Sequence, residues 1–451
     1  MVETTDLAES TALQTDRYEL TMVDAALESG VAERRSVFEV FTRRLPEGRR
    51  YGVVAGTARV VEAITRFRFL PDHIDYLRTL GLSPRALRWM ADYRFAGDVW
   101  GYPEGDVYFP GSPILTVEST FAEAVVLETV ILSTLNHDAA VAAAASRMVT
   151  AAAGRRTLDM GSRRTDPSAA VAAARAAAIA GFDATSNLAA GERYGLQTAG
   201  TAAHAFTLAH LDEDVAFRAQ ISAQGIGTTL LVDTYDIPNG LRTAIAVARE
   251  FGAPGPGGVR IDSGDLVGET IRARAFLDEL GAHGTRIVVS GDLDEFRMAE
   301  LVAAGAPIDV FGVGTALVTG SGAPTAGLTY KLVAIEDAAG RLHPVAKRSA
   351  GKAGIGGRKV AHRNWNDSPG PTPETNPSAL SETLIVGPAL RDAATVQVPF
   401  ILQGEVVSSA GVAEARERHR RARAVLDAVG ALALDPGASA VTPTTREAIH
   451  A

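Results

Sequence analysis

The 451-residue chain contains no cysteine. That absence excludes disulfides, thiol nucleophiles, thiolate zinc sites and iron–sulfur clusters, and it accords with an intracellular protein. Aromatic residues make up only 6% of the chain. Basic charge is outweighed, 44 Lys plus Arg against 53 Asp plus Glu, for a net charge of −9. Nucleic-acid binders more often carry a basic balance, so no nucleic-acid partner is expected. Residues 1–9 are acidic and lack an apolar core, which does not read as a signal peptide. Glu128, Arg147 and Arg175 interrupt the most apolar stretches, so no segment is expected to cross a bilayer. These absences together predict a cytoplasmic protein with no membrane partner.

What is present is a chain that packs: 46% hydrophobic and 22% charged residues suit a globular fold. Residues 1–125 mix short extended runs (37–41, 106–109) with helical stretches (55–65, 84–93) between Gly and Pro punctuation, which predicts an N-terminal α+β domain. Residues 118–153 are rich in Ala and Val and predict two helices meeting near Asn136 and His137. A rhythm follows. Extended runs at 157–162, 182–186, 228–235, 258–263, 286–290 and 308–313 alternate with helical stretches. Asp166, Pro167 and Gly181 supply the cap, first turn and terminator of one such helix. Strands alternating with helices mean βαβ units and a parallel sheet, and the unbroken apolar strand cores mean that both faces are covered. The repetition predicts a closed or nearly closed barrel over 126–335, with 336–451 as a C-terminal segment returning to the N-terminal domain. Within that segment, 366–378 reads as a linker, 412–429 as a helix whose basic run 416–423 is a solvated face, and 435–451 as a mobile tail.

In a β/α barrel the active site lies at the C-terminal ends of the strands. There this sequence places Arg163 and Arg164, Asn187, Asp233 with Asp236, Arg260 with Asp262 and Asp265, Ser290 with Asp292, and Gly312-Val313-Gly314-Thr315. Asp265 and Asp294 serve equally well as helix N-caps. Arg260 does not fit that explanation: an Arg within an apolar strand is costly unless an anion meets it. Gly312 and Gly314 would let backbone N–H groups approach a phosphate. His204, among the small residues Gly200-Thr201-Ala202-Ala203, is expected to project into a cavity, whereas His210 reads as a surface residue.

These motifs resemble the nicotinate phosphoribosyltransferases of bacterial NAD salvage. The resemblance rests on Thr15-Asp16-Arg17-Tyr18-Glu19-Leu20-Thr21-Met22, Leu135-Asn136-His137, Gly161-Ser162-Arg163-Arg164 and Gly200-Thr201-Ala202-Ala203-His204. It continues through Gly258-Val259-Arg260-Ile261-Asp262-Ser263-Gly264-Asp265-Leu266, Ser290-Gly291-Asp292-Leu293-Asp294, Gly312-Val313-Gly314-Thr315 and Tyr330-Lys331-Leu332. Asp159-Met160 stands where the family usually has Glu-Phe, and Gly356-Gly357 where Pro-Gly is expected.

The resemblance implies an irregular (β/α) barrel of the type II phosphoribosyltransferase kind, with an α+β N-terminal domain and a C-terminal helical extension. It implies transfer of phosphoribose from phosphoribosyl pyrophosphate to nicotinate, giving nicotinate mononucleotide and pyrophosphate. ATP hydrolysis would be coupled through phosphorylated His204. Asp262 and Asp265 would stabilise charge at the ribose, and either could meet Mg²⁺. Arg163, Arg164, Ser290, Asp292, Gly312, Gly314, Thr315 and Lys331 would hold phosphoribosyl pyrophosphate. Tyr18, Thr201 and Arg260 would hold nicotinate, Tyr18 reaching the site of the partner in a homodimer. Rival readings are a nicotinamide or quinolinate phosphoribosyltransferase, a barrel aldolase using Lys331 as a Schiff base, and a non-catalytic ligand-binding relative.

Overall fold

The computed structural model describes residues 10–347, 354–364, 380–387, 395–409, 411–435 and 437–447. The chain forms two compact units, one from Met1–Ala140 with Thr325–Ala451 and one from Val141–Pro324.

The first unit is built on a seven-stranded antiparallel sheet. Its order is Leu342–Pro344, Leu328–Glu336, Arg35–Thr42, Leu115–Thr120, Asp98–Gly101, Val398–Leu402 and Glu405–Val406. Phe38 and Tyr330 stack at 4.8 Å across the pair formed by Arg35–Thr42 and Leu328–Glu336. The C-terminal helix Val412–Ala428 lies against residues 104–105, where His419 Nδ1 is 3.0 Å from the Gly105 carbonyl oxygen. Part of the expected mobile tail is ordered: Thr444–Glu447 is a strand parallel to Ser381–Val386. All four of its side chains are exposed, so it carries no apolar pattern to betray it. The expected linker 366–378 lies outside the described residues.

The expected break at Asn136 and His137 is not there. A strand, Leu115–Thr120, is followed by the short helix Phe121–Val125 and then by one uninterrupted 24-residue helix, Glu128–Ala151. Asn136 is spent on tertiary bonds instead: its Oδ1 accepts from the Leu328 amide at 2.8 Å and from the Thr325 hydroxyl at 2.8 Å. By length and composition Phe121–Ala151 is long and apolar enough to cross a membrane, contrary to the expectation from its interrupting charges. However, 61% of its most apolar window is buried inside the fold, as in a core helix.

The second unit carries six parallel strands in the order Ala184–Thr185, Arg156–Asp159, Val310–Val313, Arg286–Val289, Gly258–Ile261 and Thr229–Leu231. The sheet curls into a half-barrel with Ala184–Thr185 and Thr229–Leu231 as its edges, the open form of the closed or nearly closed barrel expected from the repetition. Between those edges in sequence comes Thr198-Ala199-Gly200-Thr201-Ala202-Ala203. Its small, glycine-containing composition favours no ladder, and it makes a single bridge, Thr185 with Thr198. The flanking helices begin as their caps dictate. Asp166 accepts from the Ser168 and Ala169 amides ahead of Pro167, and Gly181 ends that helix with φ +118°.

Candidate active site

The parallel strands aim a set of polar residues at one rim of the half-barrel. In Gly258–Ile261, Val259 and Ile261 are fully buried while Arg260 projects to the opposite face, as period-two alternation requires. Two residues on, Asp262 shares that face. The neighbouring strand pairs Val288 with Arg260 and Val289 with Ile261, and the Ser290 amide donates to the Ile261 carbonyl at 3.1 Å. Ser290 thus comes to rest between Arg260 and Asp262.

The result is a closed hydrogen-bond circuit. Arg260 Nε donates to Ser290 Oγ at 2.7 Å, Nη2 to Asp262 Oδ1 at 2.9 Å and Nη1 to Thr201 Oγ1 at 3.2 Å. The Ser290 hydroxyl donates in turn to Asp262 Oδ1. A guanidinium has five N–H groups, so one N–H on each terminal nitrogen is left without a described partner. Burial would raise the Asp262 pKa, but the Ser290 hydroxyl and the Arg260 charge outweigh it and hold the carboxyl below its usual range.

Asp233, just past Thr229–Leu231, braces the next position. Its Oδ2 accepts from the Asp262 amide and from the Ser263 hydroxyl, each at 2.8 Å. Its Oδ1 is buried without a hydrogen-bond partner and lies 3.9 Å from His204 Nε2. His204 opens the helix His204–Leu208, half-exposed, with Nδ1 3.2 Å from Thr234 Oγ1. Glu213, the first residue of the helix Glu213–Gln224, is buried with both carboxyl oxygens unpartnered. Burial, then the charges of Asp236 and Asp233, push its carboxyl up to about 7.

A cavity of about 400 Å³ opens beside Arg260 and Asp262. Its walls are Met160, Arg163, Arg164, Ser290, residues 291–294, Gly312, Gly314, Thr315 and Ala316. Arg163 and Arg164 sit in the short turn Ser162–Arg164, exposed and without an ion-pair partner among the described residues. That turn is set by Asp159, which accepts from the Gly161 amide at 2.8 Å and from the Thr185 hydroxyl at 2.7 Å. Gly291 has φ +96°, and a Cβ there would lie 2.2 Å from the Asp262 carbonyl oxygen, so only glycine permits this close approach of the two loops. Asp294 caps the following helix through the Arg297 amide at 2.7 Å.

Of the residues singled out in the sequence, Arg163, Arg164, Arg260, Asp262, Ser290, Asp292, Gly312, Gly314 and Thr315 line this one cavity. Thr201 joins through Arg260, and His204 through Asp233. Asp265 is exposed at the start of the helix Leu266–Glu279; it makes no side-chain cap bond and does not line the cavity. Tyr18 and Lys331 belong to the first unit, where the Lys331 ammonium lies 3.3 Å from Glu128 Oε1. Burial, then the negative charge of Glu128, raises the Tyr18 phenol above its usual range. Sequence reasoning placed Asp233 at the rim without giving it a task, and it passed over Glu213. Asp233 carried one signal, its position straight after Leu230-Leu231-Val232; Glu213 carried none, since an acidic residue opening a helix is ordinary. Among the described residues no group of three or more His, Asp or Glu side chains could cage a metal ion.

A half-barrel of parallel strands with an arginine, paired carboxylates and a glycine loop gathered at its rim defines an enzyme that handles anionic substrates at the strand ends. Family models narrow this: the nicotinate phosphoribosyltransferase N-terminal domain matches residues 13–136 and the nicotinate phosphoribosyltransferase family matches residues 156–359. The chain is 51% identical over 449 residues to nicotinate phosphoribosyltransferase pncB1 of Mycobacterium tuberculosis (strain CDC 1551 / Oshkosh), covering 98% of this chain and 96% of that one. It is 38% identical over 366 residues to the nicotinate phosphoribosyltransferase of Bacillus subtilis, covering 80% and 74%. The crystal structure of human nicotinic acid phosphoribosyltransferase superposes with a TM-score of 0.77 at 23% identity, over 95% of this chain and 97% of that one, a likeness of fold. The chain belongs to the nicotinate phosphoribosyltransferase family.

Proposed function

We propose that the cavity beside Arg260 transfers phosphoribose from phosphoribosyl pyrophosphate to nicotinate, releasing nicotinate mononucleotide and pyrophosphate. The observation that carries this reading is Arg260 itself. Three of its donors are tied down, and one N–H on each terminal nitrogen remains to meet the two oxygens of a carboxylate. Also in the cavity wall, Arg163 and Arg164, without an ion-pair partner among the described residues, and Gly312, Gly314 and Thr315 offer charge and backbone to phosphates, with Asp292 in the same wall. In the reaction the pyridine nitrogen bonds to the ribose anomeric carbon as that carbon's bond to pyrophosphate breaks. Positive charge grows on the ribose meanwhile, and ionised Asp262 is placed to stabilise it. Tyr18 would stack on the pyridine ring from a second copy of the chain, and Lys331 would meet phosphate; both roles follow from the family.

The donor set fits a cation that arrives on the substrate's phosphates. There is no protein cage among the described residues, and Asp262 and the exposed Asp265 offer one or two oxygen ligands. When bound, Mg²⁺ would neutralise charge on the departing pyrophosphate.

His204 is the proposed acceptor of the ATP γ-phosphoryl group, with Asp233 beside it. The enzyme would act in the cytoplasm as a homodimer. The deciding assay offers nicotinate, nicotinamide and quinolinate with phosphoribosyl pyrophosphate, with and without ATP. Nicotinate mononucleotide as the dominant product, with ATP stimulation, is the expected result; preference for either other substrate refutes the assignment.

A further inference from the structure

We infer that Ser290 is a positioning residue for Arg260, setting the preference for a carboxylate substrate, and does not itself hold phosphoribosyl pyrophosphate. The inference rests on the assignment of Arg260 to the nicotinate carboxylate made above. A hydroxyl has one proton to give. In Ser290 that proton goes to Asp262 Oδ1, while the Ser290 oxygen itself accepts from Arg260 Nε at 2.7 Å. Phosphate oxygens are acceptors, so Ser290 could bind them only by abandoning Asp262. The residue is 3% exposed, with little surface for a ligand to touch although it lies in the cavity wall.

What Ser290 does accomplish is geometric. A guanidinium held only by Asp262 through Nη2 and Thr201 through Nη1 could still swing about the line joining its two partners. The third bond, at Nε, fixes its plane. The free N–H groups of both terminal nitrogens are then held in one direction, the arrangement that a bidentate carboxylate needs. A neutral amide, with one acceptor oxygen, gains less from such alignment. The backbone enforces the placement: the pairing of Val289 with Ile261 delivers Ser290 to this point, and Gly291 at φ +96° turns the chain away directly after it.

The test is steady-state kinetics of Ser290→Ala, Ser290→Cys and Ser290→Thr beside Arg260→Ala, each checked for native melting. Ser290→Ala should raise KM for nicotinate about tenfold, the loss of one hydrogen bond to a charged group, and lower the nicotinate-to-nicotinamide ratio by a similar factor. KM for phosphoribosyl pyrophosphate should stay within about twofold. Ser290→Thr, which keeps the hydroxyl, should restore the ratio. Ser290→Cys, close in volume but a weak donor, should behave like Ala and serves in its place if the Ala variant does not fold. A rise in KM confined to phosphoribosyl pyrophosphate, with discrimination intact, overturns the inference and makes Ser290 a direct ligand. If Arg260→Ala keeps full discrimination, the nicotinate assignment of Arg260 fails and the inference with it. If Arg260→Ala loses discrimination while Ser290→Ala keeps it, only the inference fails.

Discussion

Asp233 and His204 face one another with 3.9 Å between Oδ1 and Nε2, and that oxygen is buried with no hydrogen-bond partner of its own. A lone carboxylate oxygen in that place favours the imidazole tautomer that carries its proton on Nε2. Nδ1 then keeps the lone pair, which accepts from the Thr234 hydroxyl at 3.2 Å and becomes the nucleophile once that hydroxyl turns away. Phosphorylation by ATP is therefore expected at Nδ1 of His204, a position that NMR of the denatured phosphoprotein distinguishes from Nε2. Asp233→Asn should slow labelling from the γ-phosphate by roughly 10- to 100-fold. His204→Ala should abolish the label while ATP-independent transfer partly survives. Labelling of Asp233→Asn at the native rate would remove the carboxylate from this role.

Arg260→Ala separates a carboxylate-binding arginine from a rim ion pair. Loss of a charged hydrogen bond, about 1.5–3 kcal/mol, should weaken nicotinate roughly ten- to a hundredfold and leave nicotinamide almost unaffected. Arg260 also holds Asp262, so melting must be compared in parallel. An equal loss for both substrates, or a fall in stability alone, identifies the pair with Asp262 as its whole purpose.

Gly314 tests the phosphate end. A Cβ there would meet nothing nearer than the Met160 carbonyl oxygen at 3.5 Å, so there is space for a side chain. Gly314→Val should raise KM for phosphoribosyl pyrophosphate at least about tenfold, by filling the space a phosphate would occupy, with an unchanged melting temperature. Native kinetics in the folded variant would place the phosphate elsewhere.

Glu213 should leave a mark on stability against pH. Its carboxyl is raised from 4.5 to about 7, chiefly by burial, then by Asp236 and Asp233. The folded state thus holds a proton that the unfolded chain releases, a contribution fully present below about 4.5 and lost as pH rises through about 7. Glu213→Gln cannot ionise and should melt higher than the parent at pH 8, with the gain shrinking toward pH 5. A difference that is constant across this range would mean that the group titrates normally.

The parallel sheet was legible because each strand is a short unbroken apolar run between caps that obey local rules, as at Asp166, Pro167 and Gly181. Whether it would close or stay open was not, because the alternation alone does not reveal that 198–203 make one bridge instead of a ladder. The long antiparallel sheet was equally hidden: Arg35–Thr42 finds its partner in Leu328–Glu336, and pairing between remote segments leaves no local pattern. Asn136 misled for a related reason, since its polar side chain reads as a helix boundary until its bonds to 325–328 are known. At the site, Arg260 announced itself by being charged in an apolar strand. At Ser290 the sequence shows residue type but not where the hydroxyl proton goes, which is to Asp262 Oδ1.

The insertion of one unit within the other has a consequence for synthesis. Val141–Pro324 is continuous, so its parallel sheet can assemble as soon as it emerges from the ribosome. The strand Arg35–Thr42 must wait for Leu328–Glu336, and Asp98–Gly101 for Val398–Leu402, each about 300 residues downstream. At 5–20 residues per second that is roughly 15–60 s during which apolar strand edges stand unpaired. The nascent chain therefore carries unpaired apolar strand edges throughout synthesis of the parallel unit, and only segments translated after Pro324 relieve them.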